Sequence, residues 1–250
     1  MELVRQVAEA DSAVINELEQ GGEDITLNNI QAMEQLMMSD LFNNRFGIDK
    51  NRARDIFDSL DDREKLTAKI SSLCDEASDK LAEEIEKDDN SYDVVKSASI
   101  TQMTAQMMVR STRREDYTIP YIKGDGIGMM KVSFKSDSEQ SGKISISYED
   151  SMLGNVNVNI SVGDSDIQIS ALYETKASIR GLPDKQEIEA ADAFKGKLEN
   201  AAQCVKDNYG CKRADVIINP VRNVERSIYN SEETQISSAI LYKIAKTVVE

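Results

Sequence analysis

Apolar residues over the first 115 positions recur every three or four residues, the spacing that gathers them on one face of an α-helix. Leu3, Val7, Ala10, Val14 and Leu18 form one such stripe, and Gly21-Gly22 ends it. A second helix is expected near Thr26, whose hydroxyl can accept from free first-turn amides, with Ile25 and Ile30 placed as a hydrophobic staple. Its buried face would be Ile30, Met33, Met37 and Leu41. A short segment from Ala53 to Leu60 leads to Asp61, which with Glu64 makes a capping-box-like start for a long helix. Leu66, Ile70, Leu73, Ala77, Leu81 and Ile85 line that helix, and Asp88, Asp89 and Asn90 break it. A further helix carries Val94, Ala98, Thr101, Ala105 and Met108 towards a charged cluster near Arg113.

At Tyr117 the period changes to two, the repeat of a strand with one face buried and one wet. Met130, Val132 and Phe134 alternate with polar neighbours, as do Ile144, Ile146 and Tyr148. Val156, Val158, Ile160 and Val162 follow, then Ile167, Ile169 and Ala171, with Gly163-Asp164 spaced for a hairpin and Gly142 and Gly154 punctuating the rest. A helix then sets Ile188, Ala191, Phe194, Leu198, Ala201 and Val205 on one side, as a cover for the apolar sheet face. Asn208 to Gly210 ends it, and Val216-Ile217-Ile218 reads as a strand buried on both faces, terminated by Pro220. Val221 to Gln235 is polar and without period, a linker or arm. Ile236, Ile240, Ile244 and Val248 then line a last helix, with Lys243 and Lys246 suited to its C-terminal dipole.

The pattern predicts an α+β protein: an all-helical N-terminal domain over 1–115, a strand-rich module over 116–220 with a small mixed sheet and a covering helix, and a linker with a C-terminal helix over 221–250. The 250 residues suffice for two cores, and 40 % of them are hydrophobic. A net charge of -15 makes the surface anionic and disfavours nucleic acid, which needs clustered cations. The one dense basic run, Arg110, Arg113 and Arg114, is offset by Glu115 and Asp116 and reads as a solvated helix end. No stretch nears the ~20 apolar residues of a membrane span, and no cleavable signal peptide is recognisable.

Histidine is absent, which removes the usual neutral-pH general base and the commonest metal ligand. No catalytic residue, metal site or cofactor is therefore predicted. Cys74, Cys204 and Cys211 form no Cys-x-x-Cys pair; they read as reduced thiols, with a regulatory Cys204–Cys211 disulfide as the alternative. Gly124-Asp125-Gly126-Ile127-Gly128 could suggest a phosphate cradle, but a strand rather than a helix follows it, so a turn is expected. The doublets Met37-Met38, Met107-Met108 and Met129-Met130 read as core filling rather than as an adaptable binding surface.

The most specific run is Glu149-Asp150-Ser151-Met152-Leu153-Gly154-Asn155-Val156-Asn157-Val158-Asn159-Ile160. An apolar Leu anchors a turn, Gly opens backbone angles closed to other residues, and Val, Val and Ile alternate into a strand. With the segment Ser165 to Tyr173, the helix Lys185 to Lys206, Gly210 and Val216 to Ile218, it resembles the C-terminal domain of the flagellar hook-length control protein family in order and spacing. Ser151-Met152 stands where that family usually has a Pro. The resemblance implies a non-enzymatic protein that is made in the cytoplasm, leaves through the flagellar type III apparatus and contacts the export gate's switch protein. That contact would change export from hook to filament substrates. It implies partner binding through Leu153, Gly154, Val156, Val158 and Ile160, and it implies that the family's extended N-terminal ruler is missing here, because 1–114 read as compact helices. The competing expectations are an acidic structural or chaperone-like adaptor whose helical half binds a partner helix, and a carboxylate enzyme such as a glycosidase. The latter is disfavoured by 5 % aromatic content and no Trp.

Overall fold

The computed structural model describes residues 12–87, 92–136, 142–163, 166–174, 185–209, 211–221, 224 and 238–249. Leu3, Val7 and Ala10, the break at Asp88 to Asn90, Asp164, Gly210 and Ile236 lie outside the described residues, as does most of the expected linker. Among the described residues are eight helices and one six-stranded sheet, an α+β architecture with helices first. By its contacts the chain divides into a unit of residues 1–56 and 67–129 and a unit of residues 57–66 and 130–250.

The first unit holds α1 (Ser12–Gln20), α2 (Leu27–Met37), α3 (Ser39–Phe46), α4 (Lys50–Phe57, but for its last residue), most of α5 (Arg63–Lys87), α6 (Tyr92–Arg113) and β1 (Asp116–Lys123). Thr26 caps α2 as expected, its hydroxyl accepting from the Asn29 amide at 3.2 Å. Ile30 and Met33 are buried, whereas Leu41 is 46 % exposed and Ile25 37 %. The reason is a break at Met38, whose extended backbone restarts the helix, so that Phe42 and Phe46 face inward in place of Leu41 and stack at 4.4 Å. Helices α2 and α6 approach closely over small residues: the Thr104 hydroxyl donates to the Ala32 carbonyl at 3.2 Å, and Gln35 bonds Thr101 at 3.4 Å. Arg110 pairs with Glu23 at 3.1 Å and Arg114 donates to the Gly21 carbonyl at 2.6 Å, so the basic helix end is anchored on the α1 turn rather than merely solvated. Glu115 closes α6 in the left-handed region at φ 59°. Gly124-Asp125 forms the expected turn before a strand, and a Cβ at Gly128 would lie 2.6 Å from the Tyr121 ring.

The long helix α5 starts one residue later than the capping-box reading places it. The Asp62 carboxylate, not Asp61, accepts from the Glu64 and Lys65 amides at 3.1 Å. Leu66, Ile70, Leu73, Ala77 and Leu81 are buried and Ile85 is 42 % exposed.

The sheet runs β1-β2-β3-β4-β5-β6 in order, with β2 (Gly126–Ser136), β3 (Gly142–Asp150), β4 (Gly154–Val162) and β5 (Asp166–Glu174) antiparallel to one another. β6 (Arg213–Val221) joins β5 in parallel after α7 (Lys185–Tyr209), the long crossover a parallel pair requires. In the second unit Met130, Val132, Phe134, Ile144, Ile146, Val156, Val158, Ile160, Val162, Ile167, Ile169 and Ala171 are all buried, as their alternation predicts. Each of these side chains except Ala171 contributes roughly 1.5–3 kcal/mol of burial.

Three expectations are corrected here. The expected covering helix α7 packs on β5 and β6, and it is not the sole cover: α8 (Ser238–Val249) packs on α7 and β3, with Tyr242 stacked on Phe134 at 3.8 Å. The first turn of α7 is rotated from the expected stripe: Glu187 is buried and Ile188 is 48 % exposed, while Leu198, Ala201 and Val205 face inward as read. β6 is an outer strand, not one buried on both faces; Ile217 is 46 % exposed and the strand runs through Pro220 to Val221. An outer strand has no ladder on one side, which is where a residue lacking an amide hydrogen is tolerated. Pro120 occupies the other outer strand, β1. Lys246 bonds the Asp58 carbonyl at 2.8 Å and faces Asp61 at 3.8 Å, fixing α8 to the turn before α5.

Candidate interaction surface

β3 and β4 close a hairpin in which Asp150 pairs with Gly154. The Asp150 carboxylate accepts from the Met152 and Leu153 amides at 2.7 and 2.9 Å, so three residues turn without a free backbone amide at Met152 or Leu153. Gly154 takes φ 67°, and a Cβ there would stand 3.5 Å from the Glu174 Cβ. Glu174 closes the cluster, one carboxylate oxygen accepting from the Asn155 side chain at 2.9 Å and the other from the Val224 amide at 3.4 Å. Val224 itself is buried. Leu153 sinks into the core at 2 % exposure, and its neighbour Met152 projects at 45 %.

Of the residues expected to touch a partner, Val156, Val158 and Ile160 are buried like Leu153, all on the core side of β4. Their side chains hold the sheet together and cannot present a surface without opening it. What the hairpin presents is Glu149, Ser151, Met152 and Asn155. Apolar alternation marks the buried face of a half-wet strand and leaves the exposed face to be found by its polar residues.

That opposite face is lined in rows set by the register. Lys135 lies opposite Lys143, which lies opposite Ser161 and then Gln168. Ser133, Ser145, Asn159 and Ser170 make the next row, and Lys131, Ser147, Asn157 and Leu172 the third. Asn157 is fully buried there, donating to Ser147 at 2.8 Å and Ser145 at 3.3 Å and accepting from Asn159 at 2.5 Å. The Lys143 ammonium is shielded from solvent and has no hydrogen-bond partner among the described residues. These lysines were not singled out by the sequence pattern; the signal available was their equal distance from the middle of the β2–β3 connection.

The first unit carries a shallow groove of about 350 Å³ between α5 and α6, lined by Cys74, Asp75, Ser78, Gln102, Gln106 and Arg113 among others. Burial and Asp75 push the Cys74 thiol up to about 12, so it stays protonated. Burial, with Asp166 adding to it, also raises Cys211; burial, then Glu187 and Asp192, raise Tyr173. The three cysteines are free thiols. Met107, Met108 and Met130 are buried as core filling, whereas Met38 is 55 % exposed at the helix break. Among the described residues no group of three or more Cys, Asp or Glu is placed to hold a metal ion, and no helix is long and apolar enough to cross a membrane.

No family model, curated protein or solved structure matches the chain.

Proposed function

We propose that this chain is a non-enzymatic protein-binding module that switches the substrate specificity of flagellar type III export. Its partner would be the export gate's switch protein, met in the cytoplasm or during passage through the apparatus. The order β4, β5, α7, β6 is the order that the resemblance to the hook-length control family calls for. The observation that carries the reading is Met152: a large apolar side chain, 45 % exposed, on a turn held by Asp150 and rooted by Leu153. An anchor already held in one place loses little entropy when a partner covers it. Leu153, Gly154, Val156, Val158 and Ile160 act in this reading as the frame that holds the anchor, not as the contact itself.

Met152→Asp tests it. The variant should fold as the wild type does and lose capture of the switch protein, and cells carrying it should make hooks of uncontrolled length. Undiminished capture by the variant, with normal hooks in a deletion strain, would sink the proposal. The α5–α6 groove supports a second reading, the adaptor in which the helical unit binds a partner helix. Gln106→Trp, from an exposed position on the groove, should block that partner and leave Met152-dependent capture intact.

A further inference from the structure

Of the three free thiols, Cys74 is buried, whereas Cys204 is exposed and Cys211 half-buried. The topology brings the last two to one corner of the second unit. α7 carries the chain from the end of β5 back to the start of β6, so it runs opposite to both strands it packs on. The chain therefore reverses between Tyr209, where α7 ends, and Arg213, where β6 begins, and Cys211 stands inside that reversal. Had the helix continued, Cys211 would lie about 10 Å along the axis beyond Cys204. The reversal turns it back towards the last turn of α7 instead. Burial, with Asp166 adding to it, raises the Cys211 thiol, and Asp166 pairs with Arg213, so Cys211 sits where β5 and β6 both begin. Cys204 follows on the flank of α7 beside the inward-facing Val205, and its Sγ accepts from Asn208 Nδ2, one turn nearer the reversal, at 3.3 Å. A disulfide needs Cα atoms within about 7 Å of each other. The part free to adjust to that distance is the last turn of α7, where Lys206, Asp207 and Asn208 are not buried.

We propose that Cys204 and Cys211 are a redox switch, whose oxidation closes a ring of eight residues and staples the end of α7 to the start of β6. The oxidant is a low-molecular-weight disulfide such as oxidised glutathione. The Cys204 thiolate attacks one of its sulfurs, forming a mixed disulfide and releasing one glutathione. The Cys211 thiolate then attacks the Cys204 Sγ, forming the protein disulfide and releasing the second glutathione. Two electrons pass from the cysteine pair to the oxidant, and the two thiol protons end on the two glutathiones. Exposure sets the order, since Cys204 is the more accessible thiol. β6 is an outer strand with a ladder to β5 alone, so the staple governs how firmly that strand is held. The pair lies at the opposite end of β5 from Glu174, beside which Gly154 roots the Met152 turn, so the switch goes beyond the protein-binding reading and does not rest on it.

The test incubates the full chain with oxidised glutathione and follows it by peptide mass spectrometry, thermal melting and hydrogen exchange. Wild type should end two hydrogens lighter, with Cys204 linked to Cys211, and should melt higher by up to about 8 °C, the effect of closing a short loop. Amides of Arg213 to Val216 should exchange more slowly, and dithiothreitol should reverse all three changes. Cys211→Ser should stop with one glutathione on Cys204 and melt no higher. Cys204→Ser should take up glutathione more slowly, because the thiol left is the less exposed one. Wild type that stops at the mixed disulfide, that links only through disulfides between chains, or that closes the ring without melting higher overturns the inference. None of these readouts depends on capture through Met152, so the switch and the protein-binding reading fail separately.

Discussion

Replacing Tyr242 by Ala should unfasten the C-terminal helix from the sheet. The side chain is fully buried, lies 3.8 Å from the Phe134 ring centre at 11° between planes, and is flanked by Ile244 and Ala245, also without exposure. An aromatic side chain removes roughly 150–250 Å² from water, which at about 25 cal/mol per Å² amounts to about 4–6 kcal/mol as an upper bound. Core substitutions of this kind cost about 3–5 kcal/mol, and that range is the expected loss. Against a typical domain stability of about 5–15 kcal/mol, the second unit would be left near its threshold. Tyr242→Phe keeps the stacked ring and should cost about 1 kcal/mol or less. Urea unfolding followed by circular dichroism measures the loss, and hydrogen exchange locates it: amides of β2 and β3 should exchange faster, while those of α2 and α6 should not. A loss below about 1 kcal/mol with unchanged exchange in β2 and β3 would refute the claim that this stack holds α8 in place.

Gly154→Ala forces a Cβ into the left-handed region and against Glu174, and should lower stability by about 1–2 kcal/mol, read from the urea midpoint. Glu115→Gly relieves a non-glycine residue at φ 59° and should raise stability by about 1 kcal/mol in the same measurement. Cys74 has its folded pKa raised from an ordinary 9.0 to about 12, so above pH 9 the unfolded chain releases a proton that the folded chain retains. Stability should therefore fall by about 1.4 kcal/mol per pH unit between those values, and Cys74→Ala should abolish that slope. With a thiol reagent at neutral pH, Cys204 should react in the native protein and Cys74 only after denaturant is added, because Cys204 is exposed and Cys74 is buried.

The elements whose apolar positions share one face were legible in the sequence, because burial and period report the same thing. The α5 stripe from Leu66 to Leu81 and the alternation of β2 to β5 are cases of this. What escaped depends on relations between segments. Met38 is an ordinary helix former, and only the competition of Phe42 and Phe46 for the interior breaks the helix there. A run such as Val216-Ile217-Ile218 looks the same whether a strand is central or outer, and its place follows from the parallel crossover through α7. The hairpin is legible, but its apolar alternation points to Leu153, Val156, Val158 and Ile160, which are buried, whereas the exposed Met152 breaks no pattern. That Lys135 stands opposite Lys143 emerges only once the register is known.

The outer strands bear on how such a chain survives its own synthesis. Val156 to Val162, with alternating Val, Asn and Ile, no charge and no proline, has the composition from which fibres grow. It lies in β4 with β3 and β5 on either side, while the strands left outermost each contain a proline, Pro120 and Pro220. A stray strand meeting either end of the sheet finds a position that cannot donate a hydrogen bond, and growth by templating stops there. The segment most able to recruit copies of itself is thus sealed in the middle, and the sheet ends in strands that recruit poorly.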